Sequence, residues 1–162
     1  MKKGKIIKDS GDRTEFGTGA VRDMHEGKGR CDLMPLDIVA SMMDSKTLMK
    51  LYLFQEDGAF YHLIDALKVF CKNHMQSGCV ASAFLEIAKH FEDGAKKYGE
   101  DNWKKGIPVK FYIDSAVRHY LKWYRGDEDE AHDRAFCWNI MCAIWTCEHI
   151  PELNDYRKGD EE

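Results

Sequence analysis

The chain is 162 residues long, 44% hydrophobic, 12% aromatic and 32% charged, with 28 acidic against 24 basic side chains and a formal net charge of −4. That length supports one core of ordinary size, and this balance of apolar, aromatic and charged residues excludes the disordered, collagenous and membrane-embedded classes. The negative balance argues against stable nucleic-acid binding, which needs a basic face to release counterions from phosphates, but it leaves room for a nucleotide ligand.

Residues 1–30 stand apart, because Gly4, Gly11, Gly17, Gly19, Gly27 and Gly29 break any helical period while eight Lys or Arg face five Asp or Glu. They read as an irregular basic arm, and residues 31–162 as one all-α domain. Pro35 suits the first position of a short helix on which Met34, Ile38, Val39 and Met42 share a side. A second helix, about 46–55, carries Leu48, Leu51, Tyr52 and Phe54. A third, from Phe60 to His74, spaces Phe60, Leu63, Ile64, Leu67 and Phe70 helically. After Ser77 and Gly78 a fourth runs from about Val80 to Tyr98 with a stripe of Phe84, Ile87, Ala88, Phe91, Ala95 and Tyr98, and Gly99 is a natural stop.

The polar connection from Gly99 to Pro108 contains Trp103, unusual for a plain loop. A fifth helix, Val109 to Arg125, buries Val109, Tyr112, Ile113, Ala116, Tyr120 and Tyr124. The sixth begins near Asp127, with Asp127 and Glu130 as N-cap and N3 of a capping box, and runs to about His149. It is apolar nearly all round from Ala135 to Trp145, which makes it the central helix. No strand pair carries a hairpin signal and no internal repeat occurs, so the fold class is an all-α bundle of about five to six helices.

The cysteines at 31, 71, 79, 137, 142 and 147 include no C-x-x-C, and no secretory leader accompanies them. They read as reduced thiols of a cytoplasmic protein. The longest apolar run, Ala135 to Cys147, is too short to cross a bilayer.

Chemistry-bearing residues collect in a few places. Asp127-Glu128-Asp129-Glu130, His132 and Asp133 open the sixth helix, and Glu128, His132, Asn139 and Thr146 form a polar stripe down a helix that should be buried. Buried polar groups need partners, so a carboxylate, an imidazole and an amide inside a bundle resemble a ligand or metal site. Glu86, His90 and Glu92 form a second acidic cluster on the fourth helix, and hard cations such as Mg²⁺ or Mn²⁺ need oxygen ligands from facing helices. Asp114 adds a carboxylate, or else pairs with Arg118 one turn on. Arg22, Lys28 and Arg30 sit among glycines, where backbone N–H groups and basic side chains can approach phosphate together. Lys96, Lys97, Lys104 and Lys105 surround Trp103, and Arg118 adjoins His119. His132-Asp133 matches the doublet of HD-type metal phosphohydrolases, with His90 as its upstream histidine.

Three blocks then carry a resemblance: Phe16-Gly-Thr-Gly-Ala-Val-Arg-Asp23 with Gly27-Lys-Gly-Arg-Cys-Asp-Leu-Met-Pro35; Glu86, Gly94-Ala-Lys-Lys-Tyr98 and Asn102-Trp-Lys-Lys-Gly106; and Asp114-Ser-Ala-Val-Arg-His119, Gly126-Asp-Glu-Asp-Glu130, His132 and Trp138-Asn139. Together they resemble the phage dATP/dGTP diphosphohydrolases, relatives of the MazG-like all-α nucleotide pyrophosphohydrolases. The resemblance implies metal-dependent hydrolysis of dGTP or dATP to the monophosphate and pyrophosphate, in support of diaminopurine nucleotide metabolism, by a homo-oligomer, dimer or tetramer. The apolar residues on more than one face of Leu48 to Phe54 agree with assembly.

Of the MazG-like pattern, E-E-x-x-E followed by E-x-x-D, only Glu130-x-x-Asp133 is present. The metal ligands are therefore sought among Glu86, Glu92, Asp114, Glu128 and Asp129, with Glu86, Glu128 and His132 catalytic. Arg22, Lys28, Arg30, Lys96, Arg118 and His119 are the expected phosphate contacts. Tyr98, Asn102 and Trp103 are placed to stack on and read the purine, with His132 and Asn139 orienting the metal site or the substrate. An HD-type phosphohydrolase and a non-catalytic nucleotide- or protein-binding bundle are the alternatives.

Overall fold

The computed structural model describes residues 11–24, 26–75 and 80–159, and within them the apolar spacings become α1 (Leu36–Met42), α2 (Lys46–Asp57), α3 (Tyr61–His74), α4 (Val80–Tyr98), α5 (Val109–Arg125) and α6 (His132–His149). Gly4, Ser77, Gly78 and Cys79 lie outside the described residues. α6 is the centre: Ala135, Phe136, Cys137, Ile140, Cys142, Ala143 and Cys147 are buried, and α3, α4 and α5 pack round it while α1 and α2 complete the bundle beyond α3. Phe70 is the aromatic hub, its ring 4.5 Å from that of Phe136 and 4.9 Å from that of Trp123. Each large apolar side chain fully buried in this way contributes roughly 2 kcal/mol.

Local chemistry sets the ends. Ser45 caps α2 by accepting from the Leu48 N–H at 3.1 Å, and its hydroxyl lies 2.7 Å from Tyr120 Oη, tying the cap to α5. Gly99, at φ +92°, ends α4 by donating to Ala95 O, as its position suggested.

Several faces differ from the expected ones. On α1 the core takes Leu36 and Ala40, leaving Ile38 and Met42 exposed. α4 is rotated, so Ala83, Ile87 and His90 face inward while Phe84 and Ala88 face out, and Tyr124 of α5 is exposed. On α2, Leu48, Leu51 and Phe54 are buried, and Met49 and Tyr52 pack partly against the same core, so this chain itself covers the faces that suggested assembly. α6 begins five residues later than its acidic run predicts. The N–H groups of Gly126 and Asp127 fold back onto Trp123 O and Lys122 O, and Asp127 pairs with Arg125, so the capping box does not form.

A short antiparallel hairpin also appears where none was expected, β1 (Arg13–Glu15) pairing with β2 (Val21–Asp23). Strands of three residues are too short for an alternating pattern to register. Their turn is nevertheless written in glycine: Gly19 N–H donates to Phe16 O at 2.8 Å, Phe16 N–H to Ala20 O at 2.9 Å, and Gly19 takes φ +84°, the left-handed position of a three-residue hairpin loop. Cys31, Cys71, Cys137, Cys142 and Cys147 are free thiols. Among the described residues no helix is long and apolar enough to cross a membrane.

Candidate active site

The hairpin lies against α4, α5 and α6, held by hydrogen bonds and by the ring of Phe16, which packs edge-on against Phe111 at 4.8 Å. Asn102, in a 3-10 turn over Asn102–Lys105, donates from Nδ2 to Val21 O at 2.8 Å and accepts at Oδ1 from Val21 N–H at 2.9 Å. A side-chain amide thus pairs with β2 as a neighbouring strand would. Thr18 donates its hydroxyl to Gly106 O, joining the hairpin turn to the same segment. On the other side Arg118 donates to Gly29 O at 2.5 Å and to Asp114 Oδ2 at 2.6 Å, while Asp114 Oδ1 accepts from Cys31 N–H at 2.6 Å. The Asp114–Arg118 pair is therefore the latch that holds residues 29–31 on α5.

Between the latched arm and the helices lies a cavity of about 400 Å³. Arg22 of β2 reaches into its wall. Nη2 donates to Asn139 Oδ1 at 2.9 Å and to Ser115 Oγ at 3.1 Å, and the guanidinium carbon lies 5.1 Å from the Tyr112 ring centroid and 5.8 Å from that of Trp138. Nη1 is buried with no hydrogen-bond partner, and no carboxylate among the described residues forms an ion pair with the group. Burial pulls the Arg22 pKa down from its usual value, the signature of a cation held without a counter-ion. Lys28, Lys97 and Lys122 add positive charge to the lining, Asp23 and Glu130 the acidic side chains, and Tyr98, Phe111 and Trp138 an aromatic wall. His90, also on the wall, is held neutral, its pKa pulled down to about 3 by burial and by the charges of Arg134, Arg22 and Lys97.

Beside the cavity, His119 of its lining and the buried His132 face each other with Nδ1 atoms 2.9 Å apart. His132 Nε2 lies 2.7 Å from Asp129 Oδ1, and Glu130 Oε2 is 3.9 Å from His132 Nδ1. Donor atoms of His119, Glu130 and His132 lie within 4.8 Å of one another, as do those of Asp127, Asp129 and His132. Burial, then the neighbouring His132 and His90, hold the His119 pKa well below its usual value.

Of the residues expected at the site, Arg22, Lys28, Tyr98, Asn102, Arg118, His119 and Asn139 line the cavity. Several of these are already engaged: Asn102 by Val21, Arg118 by Asp114 and Gly29, Lys28 by Asp23 at 3.0 Å. The expected metal carboxylates do not converge. Glu86 pairs with Lys89 and Glu92 with Lys96 on the exposed face of α4, Asp114 spends both oxygens on the latch, Glu128 is exposed before α6, and only Asp129 touches His132. The rotation of α4 takes Glu86, Glu92 and Lys96 away from the site, and an all-oxygen cage for Mg²⁺ is not formed by this set. Arg30 is bound to Asp32 outside the cavity, at 2.8 and 2.6 Å. Trp103 packs its ring edge-on against Phe91 and Trp145 and lines a smaller hollow beside Tyr98.

Sequence reasoning did not assign Ser115, Lys97, Lys122, Glu130 or Trp138 a place in the site. Trp138 was discernible as the aromatic neighbour of Asn139. Ser115 and Lys122 fall one turn either side of the His119 region, a relation that α5 makes visible only once its cavity face is known. The HD-type arrangement does not assemble: Asp133 accepts from the Arg134 N–H at 2.8 Å, and His90 is outside both donor clusters.

Compared with known proteins, residues 70–156 match the family described as dATP/dGTP diphosphohydrolase, N-terminal. No curated protein and no solved structure matches. The matched span holds α4, α5 and α6 whole, so the cavity's helical walls all fall inside it, and the chain belongs to the dATP/dGTP diphosphohydrolase family.

Proposed function

We propose that the cavity binds dGTP or dATP and that water cleaves the bond between the α- and β-phosphates, releasing the monophosphate and pyrophosphate. Arg22 carries this reading. A buried guanidinium with a free Nη1 and no carboxylate is costly to maintain, and a phosphate group supplies both the missing acceptor and the missing charge. Lys28, Lys97 and Lys122 line the same space and suit a polyanion with several phosphates. The faces of Tyr98 and Trp138 suit a purine, and Asn139 holds the arginine in register rather than reading the base.

A divalent cation, Mg²⁺ or Mn²⁺ by the resemblance, supplies neutralisation of phosphate charge and a lowered pKa for the attacking water when bound. The chain's own part is to orient: Arg22 fixes an anionic group at the cavity wall, the lysines offset the remaining charge, and the aromatic side chains exclude water from the base. Removal of dATP and supply of dGMP to diaminopurine synthesis in a phage-infected cytoplasm, by a homo-oligomer, belong to the same reading. Exposed Ile38 and Met42 on α1 are apolar surface suited to self-association.

Incubation of purified protein with dGTP and with dATP, each with Mg²⁺ or Mn²⁺, followed by resolution of products, tests it. The expected products are dGMP or dAMP with pyrophosphate. Triphosphate plus deoxynucleoside would indicate HD-type chemistry, and absence of turnover with retained nucleotide binding a sensing bundle.

A further inference from the structure

The expected oxygen ligands for Mg²⁺ do not come together, whereas a different donor set does. His119 lies on α5, His132 opens α6, and Glu130 stands just before α6 in the loop. The late start of α6 is what swings the 127–131 segment back over α5 and brings Glu130 to the cavity wall beside His119.

We propose that His119, Glu130 and His132 form a binding site for a divalent first-row transition ion, two imidazole nitrogens and one carboxylate at the wall of the cavity, selective for Mn²⁺ or Fe²⁺ over Mg²⁺. The donor chemistry comes first. Imidazole is a good ligand for transition ions and a poor one for Mg²⁺, which takes oxygen almost exclusively, and two histidines with one carboxylate leave positions open on an octahedral ion.

The geometry agrees. Two nitrogens each about 2.1 Å from an ion and at right angles are about 3.0 Å apart, and the two Nδ1 atoms are 2.9 Å apart. Asp129 supplies the outer partner that metal-binding histidines ordinarily have: its Oδ1 is 2.7 Å from His132 Nε2, so that nitrogen carries the proton and Nδ1 presents its lone pair. Without an ion, His119 Nδ1–H donates to His132 Nδ1. Binding an ion requires only that the His119 proton move to Nε2, with no net proton gained or lost.

The site opens on the cavity that Arg22 lines, so an ion here faces the phosphates of a bound nucleotide, and in that respect the inference rests on the hydrolytic reading. Its test does not. Metal-stripped protein is titrated with Mn²⁺ alone, without nucleotide, and the loss of the free-ion electron paramagnetic resonance signal is followed. One Mn²⁺ per chain is expected, retained against an excess of Mg²⁺ of about a hundredfold, with electron spin-echo modulations from coordinated ¹⁴N.

Glu130→Gln, outside the helices, is expected to weaken Mn²⁺ binding at least about tenfold, and Asp129→Asn by a similar factor through loss of His132 orientation. His119→Gln is expected to remove one of the two ¹⁴N couplings. Circular dichroism of each variant establishes that it folds, and the ¹⁴N signature of the unmutated protein stands whether or not a variant does. Absence of Mn²⁺ binding, equal competition by Mg²⁺, absence of ¹⁴N coupling, or unchanged affinity in folded Glu130→Gln overturns the site. Mn²⁺ bound with nitrogen ligation but no dNTP turnover leaves the site standing and overturns the hydrolytic reading. Turnover without Mn²⁺ binding does the reverse.

Discussion

Arg22 and Asn139 are 117 residues apart in the chain, and their side chains meet at 2.9 Å. The bond joins the irregular arm to the central helix and places a cation beside a polar stripe inside the bundle. Asn139 is itself fixed, its Nδ2 donating to Ala135 O at 2.8 Å, so Oδ1 is turned toward the arginine. The arm is thereby part of the site, although it lies outside the span that matches the family.

If the guanidinium is held for an anion, it does not serve stability. Arg22→Met, which keeps the length and removes the charge, is expected to leave the urea midpoint of the ligand-free protein unchanged or to raise stability by up to about 1 kcal/mol. Nucleotide affinity measured by calorimetry should fall at least about tenfold. A marked loss of stability together with binding would make Arg22 a structural cation.

Asn102→Ala removes both bonds to Val21 at once. Each bond contributes about 1 kcal/mol, so exchange of the amides over residues 13–23 should accelerate while protection in α5 and α6 persists. Weakened nucleotide binding should accompany it, because the strand that carries Arg22 is the strand released. Uniform acceleration over the whole chain would show that the hairpin is not a separate unit.

The helices were legible because burial of one face imposes a period on the sequence, and α6 was legible as central because it is apolar nearly all round from Ala135 to Trp145. What the period does not fix is rotation by a single residue, and that is where α4 departed. Beside Ile87, buried as its place in the stripe predicts, Phe84 and Ala88 fit an apolar stripe as well as Ala83 does, but the inward position is taken by His90 beside an open cavity, which a solid apolar core would not require. Glu86 and Glu92 followed that rotation out to solvent. The hairpin was hidden by strand length, and the pairing of Asn102 with Val21 by an 81-residue separation. Arg22, His119 and Asn139 were identifiable as types in a pattern, but the absence of a carboxylate beside Arg22 belongs to tertiary structure alone.

Gly58 ends α2 at φ +69°, and a Cβ built on it would sit 2.5 Å from Tyr156 O and 2.7 Å from Arg157 Cα. Both the left-handed backbone and the backbone of the C-terminal segment oppose any side chain. Gly58→Ala is expected to cost about 2 kcal/mol or more in a denaturant melt, with Asn154, which donates to Gly58 O at 2.9 Å, displaced. A change of a few tenths would show that the C-terminal segment gives way freely.

His90 supplies a pH dependence with a definite sign. Its folded pKa, about 3, lies below the unfolded value, so the unfolded chain binds the proton more readily and stability falls as pH drops below the unfolded pKa of about 6.5. Between pH 7 and pH 5 this one group accounts for about 2 kcal/mol. His119, also depressed, acts in the same direction. His90→Gln should flatten the stability profile over that interval while leaving the pH 7 value little changed, and an unaltered slope would place the acid sensitivity elsewhere.

Ser115 offers the sharpest test of what Arg22 awaits. Its Oγ accepts from Nη2 at 3.1 Å on the cavity side of α5, so Ser115→Asp sets a carboxylate against the guanidinium without touching the arginine, Asn139 or the aromatic wall. A paired arginine no longer needs a phosphate: ligand-free stability should hold or rise, while nucleotide affinity falls at least about tenfold and thermal stabilisation by inorganic phosphate disappears. Ser115→Ala removes one bond donated by the guanidinium and should cost about 1.5 kcal/mol, with binding retained. Because Ser115→Ala controls for disturbance of α5, a loss of binding confined to the aspartate must come from charge. Equal binding by both variants would mean that nucleotide phosphates bind elsewhere in the cavity.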